Sequence, residues 1–282
     1  MNKKSFLSIL VVILTYSIFR YMKNSPSMPP INTIAKSAGR IITSTAFYSN
    51  FLYTIKIVLI GIAISFVAGT LIAILCSMNN LAYNLIMPII NSTKNIPSIA
   101  LFPLFIVLMG IGDAPRVFVI IWNSIYPIIS STMAGLDSVD RDVIEAAQNC
   151  GATKKDLYLY IKIPLSTIHV LEGLKISLGN GFIAIVVAEM LGATKGLGYM
   201  ILWSANTFKY PEMYFYILVV ALIGLIINVA IEKLIKFIEK EMYYEESSKH
   251  VTNDSSDGDC TRRVWNAEQG KWHDQVRGSE SL

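Results

Sequence analysis

Residues 145–164 read EAAQNCGATKKDLYLYIKIP. Glu145-Ala146-Ala147 is followed after three residues by Gly151 and after nine more by Ile161, and Ile163-Pro164 closes the stretch. The module is short and mostly polar, yet long apolar segments flank it on both sides. A membrane protein has to hold such a module out in water, and what docks on it sets the function. Asp142, with Glu145 three residues later, has the spacing of a capping box, so a short helix is predicted to begin there. Gly151 suits the left-handed position that ends a helix. Thr153, with Asp156 three residues on, caps a second short helix predicted to run through Tyr160. Pro164 predicts the next break. Ala146 and Ala147 permit close approach of a partner, while Leu157, Tyr158 and Ile161 form a partly apolar face that so small a module cannot bury by itself. On these grounds two readings stay open: a face that fits a groove in another protein, or an amphipathic hairpin resting on the bilayer or on its own spans.

The rest of the chain says where that module hangs. Of its 282 residues 53% are hydrophobic and 16% charged, and the mean hydropathy is +0.50. A soluble domain is about one-quarter charged, and here the apolar excess is gathered into runs, which points to a polytopic membrane protein. A first helix is expected near 5–22, since Arg20-Tyr21-Met22-Lys23 follows it in place of a small-residue cleavage site. Residues 23–50, with Pro26, Pro29 and Pro30, read as an extracytoplasmic linker that has room for a short surface helix. Five further spans are predicted over 51–76, 83–110, 116–135, 168–191 and 212–237, the second of them bent near Pro88 and broken or kinked at Pro97 and Pro103. Residues 51–238 thus form a five-helix core carrying the polar insert at 136–165, and 1–22 supplies a sixth helix.

Six spans put both termini on one side. Lys3, Lys4, Arg141, Lys154, Lys155, Lys162, Lys233, Lys236 and Lys240 would then share the cytoplasm, against Lys23, Lys36, Arg40, Arg116, Lys195 and Lys209 outside. The bias favours a cytoplasmic insert in a multi-pass protein of the cell membrane with both termini cytoplasmic. From residue 239 the chain turns polar and loses apolar periodicity, so 239–282 reads as a disordered cytoplasmic tail, with Trp265 and Trp272 as its unusual members.

The spacing EAA-x3-G-x9-I-x-[L/I]-P resembles the cytoplasmic signature of binding-protein-dependent ABC importer permeases, with Ile163 where Leu is more usual. Two flanking stretches are similar to the nitrate/sulfonate/taurine subfamily: Asn95-Ile96-Pro97-Ser98 running on to Met109-Gly110-Ile111-Gly112, and Ala188-Glu189-Met190-Leu191-Gly192 leading to Gly196-Leu197-Gly198. The resemblance covers roughly residues 30–238 and leaves out the tail. It implies an all-α fold of six transmembrane helices, like that of type I importer permeases, with the insert as a coupling helix seated in a cleft of a cytoplasmic ATPase. Carried over residue by residue, it makes Glu145, Ala146, Ala147, Gly151, Ile161 and Pro164 the ATPase-coupling residues. The partners it implies are an ABC ATPase dimer, an extracytoplasmic substrate-binding protein and a second permease copy, in the bilayer. The expected solute is a small sulfonate-, nitrate- or taurine-like anion, with a pyrimidine precursor or other small aromatic as the alternative.

Beyond the insert, Asn123, Ser131, Ser177 and Asn180 are candidates to line a polar substrate path, with Glu189 near the outer mouth. Glu172 and Lys175 are spaced to pair on one helix face, and Lys56 is close enough to the start of its span to snorkel. No catalytic motif occurs, and the three histidines and three cysteines are too dispersed for a metal site or a disulfide framework, so neither cofactor nor metal is expected. Basic residues form no aromatic-interleaved stripe for nucleic acid. An ATP-independent channel or carrier is the rival from another class, and it leaves the insert's spacing without a purpose.

Overall fold

Membrane-spanning helices need apolar runs of about 20 residues whose small residues let neighbours close in, and this chain supplies both. The computed structural model describes residues 27–253, 261–266 and 271–276; the span expected at 5–22 lies outside the described residues. Helix α1 (Ile31–Ile42) begins after Pro30 and occupies part of the predicted linker. Helix α2 (Thr45–Met78) starts six residues before the predicted 51, because the Ser44 side chain accepts the Phe47 backbone N–H and caps it there. At 34 residues it is longer than a bilayer core requires.

Helices α3 (Asn80–Thr93) and α4 (Ser98–Met109) form one apolar pair bent by 105°. Pro97, extended at φ −61°, ψ 115° before α4, makes the break, while Pro88 and Pro103 lie inside helices. Helix α5 (Asp113–Asp137) precedes the insert, in which α6 (Arg141–Asn149) is followed by a short helical return. Then come α7 (Thr167–Gly192), α8 (Leu197–Asn206) and α9 (Tyr210–Asn253). Among the described residues four helices, α2, α5, α7 and α9 over Tyr210–Lys240, are each long and apolar enough to cross a membrane, and the bent α3–α4 pair makes five if counted as one span.

Helix α5 is the central element, packed on α2 and α7. The close approach is set by glycines. A Cβ on Gly61 would sit 2.6 Å from the Ile120 side chain, and one on Gly69 2.9 Å from that of Ile128, so two glycines eight residues apart bed α2 against two isoleucines eight apart on α5. On the other side Gly135 faces His169, Gly173 faces Ser131 and Gly181 faces Ser124. The core so closed holds Ile57, Val58, Ile62, Ile120, Phe182, Ile185 and Leu197, and a second cluster joins Phe102 and Phe105 of α4 to Val119, Ala184 and Ala188. Large apolar side chains such as Leu52, Leu59, Leu71 and Val107 point outward, as a bilayer allows and water does not.

The chain divides into two units, Met1–Glu232 and Lys233–Leu282. The first bears out the all-α expectation. In the second, α9 continues to Asn253, and β1 (Thr261–Asn266) pairs antiparallel with β2 (Lys271–Val276), Thr261 opposite Val276. Thr261, Val264, Trp265, Trp272 and Val276 carry the strand propensity of this pair.

Candidate functional site

The insert is two strokes joined at a glycine. Asp140 caps α6, its side chain accepting the Asp142 N–H at 3.1 Å, so the helix starts earlier than the predicted Asp142–Glu145 box and Asp142 lies in its first turn. At the far end Gly151 takes φ +85°. There the Ala152 N–H donates to the Ala147 carbonyl at 3.0 Å and the Gly151 N–H to that of Gln148 at 2.9 Å. These two bonds make a Schellman motif, which a left-handed residue at 151 permits. No residue of α6 is buried; Glu145 and Ala146 are exposed and Ala147 is half-buried.

The return stroke opens with the predicted Thr153–Asp156 capping box. Asp156 Oδ2 accepts from the Thr153 backbone N–H at 3.0 Å and from its hydroxyl at 2.5 Å, while Thr153 Oγ1 accepts from the Asp156 N–H at 3.3 Å. These bonds, the Thr153 hydroxyl's first, hold the Asp156 carboxyl below its ordinary range. A helical turn over Lys154–Asp156 passes into a wide π segment, Leu157–Lys162, and then Ile163–Leu165. Pro164 therefore does not break the chain as expected. A π turn leaves room around the proline ring, and the Ile163 N–H reaches back five residues to the Tyr158 carbonyl.

Of the two readings left open for the apolar face, Leu157 and Tyr158 follow the one in which it packs on the chain's own spans: they are 5% and 6% exposed. The Tyr158 hydroxyl donates to the Ser77 carbonyl at 2.6 Å and lies 3.0 Å from the Ser77 hydroxyl, while Lys154 Nζ donates to the Met78 carbonyl at 3.0 Å. These are among the last carbonyls of α2, which have no partner within the helix, and the insert supplies donors for them. Lys162 stands over the Tyr158 ring, 5.1 Å from its centroid. The insert is therefore fastened to the end of a spanning helix. Its outward face consists of Glu145, Ala146, Val143, Leu159 and Tyr160, with Ile161 half-buried and Pro164 exposed.

The proposed path residues are scattered. The Ser177 hydroxyl donates to the Ser124 carbonyl at 2.6 Å and the Ser124 hydroxyl to that of Ser177 at 3.1 Å, a reciprocal lock in the buried α5–α7 seam. Ser131 packs on Gly173 in the same seam. Asn123 donates to the Ser98 hydroxyl and so ties α5 to the start of α4, while Asn180 is exposed on α7. Glu172 lies 3.4 Å from His169, not paired with Lys175 as expected; Lys175 instead lines a cavity against α9.

Glu189 sits at the end of α7 away from the insert, 22 residues or roughly 33 Å along the helix from Thr167. It is fully buried. Its carboxylate accepts from the Thr54 hydroxyl at 2.8 Å and from the Gly198 N–H at 2.9 Å, and Thr54 Oγ1 accepts the Leu197 N–H at 2.9 Å. The Asn50 side chain accepts the Gly196 N–H at 2.7 Å. A Cβ on Gly196, at φ +115°, would lie 2.2 Å from the Glu189 carboxyl carbon. Beside this knot the buried Arg116 donates to Tyr53 at 2.5 Å, to Asp113 at 3.1 Å and to the Gly192 carbonyl at 2.9 Å. The turn between α7 and α8 is thus strapped to α2 and α5. Sequence reasoning singled out Glu189 but not Asn50, Tyr53, Thr54 or Arg116 as its setting; the glycines flanking Leu197 were the one signal available.

The profile of the family described as "Binding-protein-dependent transport system inner membrane component" matches residues 61–243. The chain is 29% identical over 227 residues to a formylaminopyrimidine transport permease of Halalkalibacterium halodurans, covering 80% of this chain and 90% of that one. It is 26% identical over 225 residues to a nitrate import permease of Leptolyngbya laminosa, covering 77% and 79%. To the taurine transport permease of Escherichia coli it is 32% identical over 148 residues, covering 52% and 54%. Among solved structures, an inward-facing form of the MetNI methionine ABC transporter superposes with a TM-score of 0.61 at 17% identity over 70% of this chain and 99% of that one, a likeness of fold.

Proposed function

This chain belongs to the family of binding-protein-dependent transport inner membrane components and is an ABC importer permease, and from that premise we propose how it works and what it carries. Glu145, Ala146, Ala147, Gly151, Ile161 and Pro164 couple it to a separate cytoplasmic ATPase dimer. ATP-driven closure moves two inserts, one on each of two permease copies, and each insert pulls on the spans from which it hangs. The pathway then alternates between inward and outward access, a two-state bundle biased by what docks on its cytoplasmic side. An extracytoplasmic binding protein delivers the solute. The protein lies in the cell membrane with both termini and the insert in the cytoplasm, residues 1–22 adding a sixth span and 23–50 lying outside. It has no catalytic site of its own.

One observation carries this reading: α6 buries nothing, yet the return stroke behind it is hydrogen-bonded to the end of α2 through Tyr158 and Lys154. An exposed helix whose return is tied to a spanning helix is placed to pass a push or pull to that span; a hairpin resting on lipid needs no such bonds. The solute is a small organic anion of the sulfonate kind, supported by the nitrate and taurine relatives. A pyrimidine precursor is the second reading, favoured by the formylaminopyrimidine relative that aligns with 80% of the chain. The test is purification of the full chain from its own cells in mild detergent. A stoichiometric ATPase should copurify and be lost in Ala146→Arg, which places a long charged side chain on the exposed face. A chain that emerges with no ATPase would overturn the reading.

A further inference from the structure

Between α7 and α9 lies a cavity of about 210 Å³ lined by Lys175, Leu178, Gly179, Phe182, Ile183, Gly224, Ile227 and Asn228. Ile183, one of its walls, is 64% exposed, so the cavity is open to the outside of the helix pair. Lys175 stands eight residues, roughly 12 Å, along α7 from Thr167, on a helix long and apolar enough to cross a membrane. An ionised side chain on such a helix is costly away from water and favours an oppositely charged partner. Its near neighbour Glu172 is engaged with His169, no acidic residue lines the cavity, and among the described residues nothing is bonded to the Lys175 ammonium. A cation, a carboxamide and apolar walls thus line one space.

We propose that this cavity binds a small organic anion, its acid group on Lys175 and the Asn228 amide and its carbon body against Leu178, Phe182, Ile183 and Ile227. The volume sets the size. A 150 Å³ apolar cavity takes benzene, so 210 Å³ holds about eight non-hydrogen atoms. That suits a sulfonate on two to four carbons, whereas nitrate would leave much of the space empty. Gly179 and Gly224 create the room: nothing lies within 4 Å of a Cβ at Gly179, and at Gly224 the nearest atoms are those of the Phe182 ring at 3.9 Å. The inference rests on the importer reading for the source of the anion, not for the existence of the site.

The test introduces Gly179→Cys into a chain carrying Cys150→Ser and Cys260→Ser, Cys76 being buried, in the assembled transporter in phosphatidylcholine nanodiscs. Labelling rates are compared for the anionic 2-sulfonatoethyl and the cationic 2-trimethylammonioethyl methanethiosulfonates. The anion-to-cation ratio should fall about tenfold in Lys175→Gln and be retained in Lys175→Arg. Butane-1-sulfonate should slow labelling without any added anionic lipid. Protection by phosphatidylglycerol but not by butane-1-sulfonate would overturn the solute as occupant in favour of a lipid headgroup. A ratio unmoved by Lys175→Gln, or a cysteine that neither reagent reaches, would overturn the site itself. ATP-driven uptake is read separately on the same discs reconstituted into vesicles, so loss of the site and loss of the importer reading are told apart.

Discussion

Replacing Gly151 separates a mechanical coupling helix from a passive hairpin. Gly151 holds φ +85°, and a Cβ there meets nothing within 4 Å, so any penalty is conformational and not steric. Left-handed geometry costs an L-residue about 1–2 kcal/mol, more for a β-branched side chain, and asparagine bears it best. The alternative is to abandon the Schellman geometry, which gives up the Ala152–Ala147 and Gly151–Gln148 hydrogen bonds, each worth about 1 kcal/mol net. Either way Gly151→Val lowers the ratio of aligned to misaligned inserts by a factor of roughly 5–30. Because α6 buries none of its residues, the bundle should melt within about a degree of the parent. In vesicles with the partner ATPase and binding protein, uptake per ATP hydrolysed should fall in the order Gly, Asn, Ala, Val. Normal coupling in Gly151→Val, or Asn as damaging as Val, would refute the reasoning.

Other perturbations probe the remaining contacts. Tyr158→Phe removes the hydroxyl that bonds Ser77, so it should cost about 1 kcal/mol locally and lower coupling while the ATPase still copurifies. Gly196→Ala would drive a methyl into the Glu189 carboxylate, 2.2 Å away; strain of about 1–3 kcal/mol should lower the detergent Tm by several degrees, with little change in ATPase binding. Gly61→Ala meets the Ile120 side chain at 2.6 Å and should destabilise the α2–α5 contact by about 1–3 kcal/mol, read in the same melt. Asp156, whose folded pKa is depressed, stabilises the cap fully above the ordinary carboxylate pKa, and that contribution is lost as pH falls through the folded value. A carbon-13 carboxyl titration should show its midpoint rising in Thr153→Val.

Period and punctuation made much of this legible in the sequence. Apolar runs placed the later spans, Pro97 marked the break between α3 and α4, and Gly151 and Thr153–Asp156 shaped the insert by local rules that need no partner. What failed was whatever depends on which neighbour a side chain meets. Leu157 and Tyr158 suited a partner's groove and the chain's own spans equally, and the choice fell to the unpaired carbonyls at the end of α2, about 80 residues away in the chain, which draw Tyr158 inward. Ser177 stood out by polarity alone, while its donation to Ser124 depends on Gly173 and Gly181 bringing α5 close. Glu172 and Lys175 had helical pairing distance, yet His169 was one turn away on the other side. Asp140 displaced Asp142 as the cap because α6 begins almost as soon as α5 ends at Asp137.

In the proposed mechanism the insert converts ATP hydrolysis elsewhere into movement of solute through this chain. Its most direct measurement is uptake of a radiolabelled small sulfonate by vesicles holding the purified chain, its copurifying ATPase and the binding protein. Accumulation above the external concentration is predicted with ATP, absent with a non-hydrolysable analogue and absent when Ala146→Arg blocks docking. Uptake that proceeds equally well without ATP, stopping at equal concentrations inside and out, would contradict the account and leave a channel in its place.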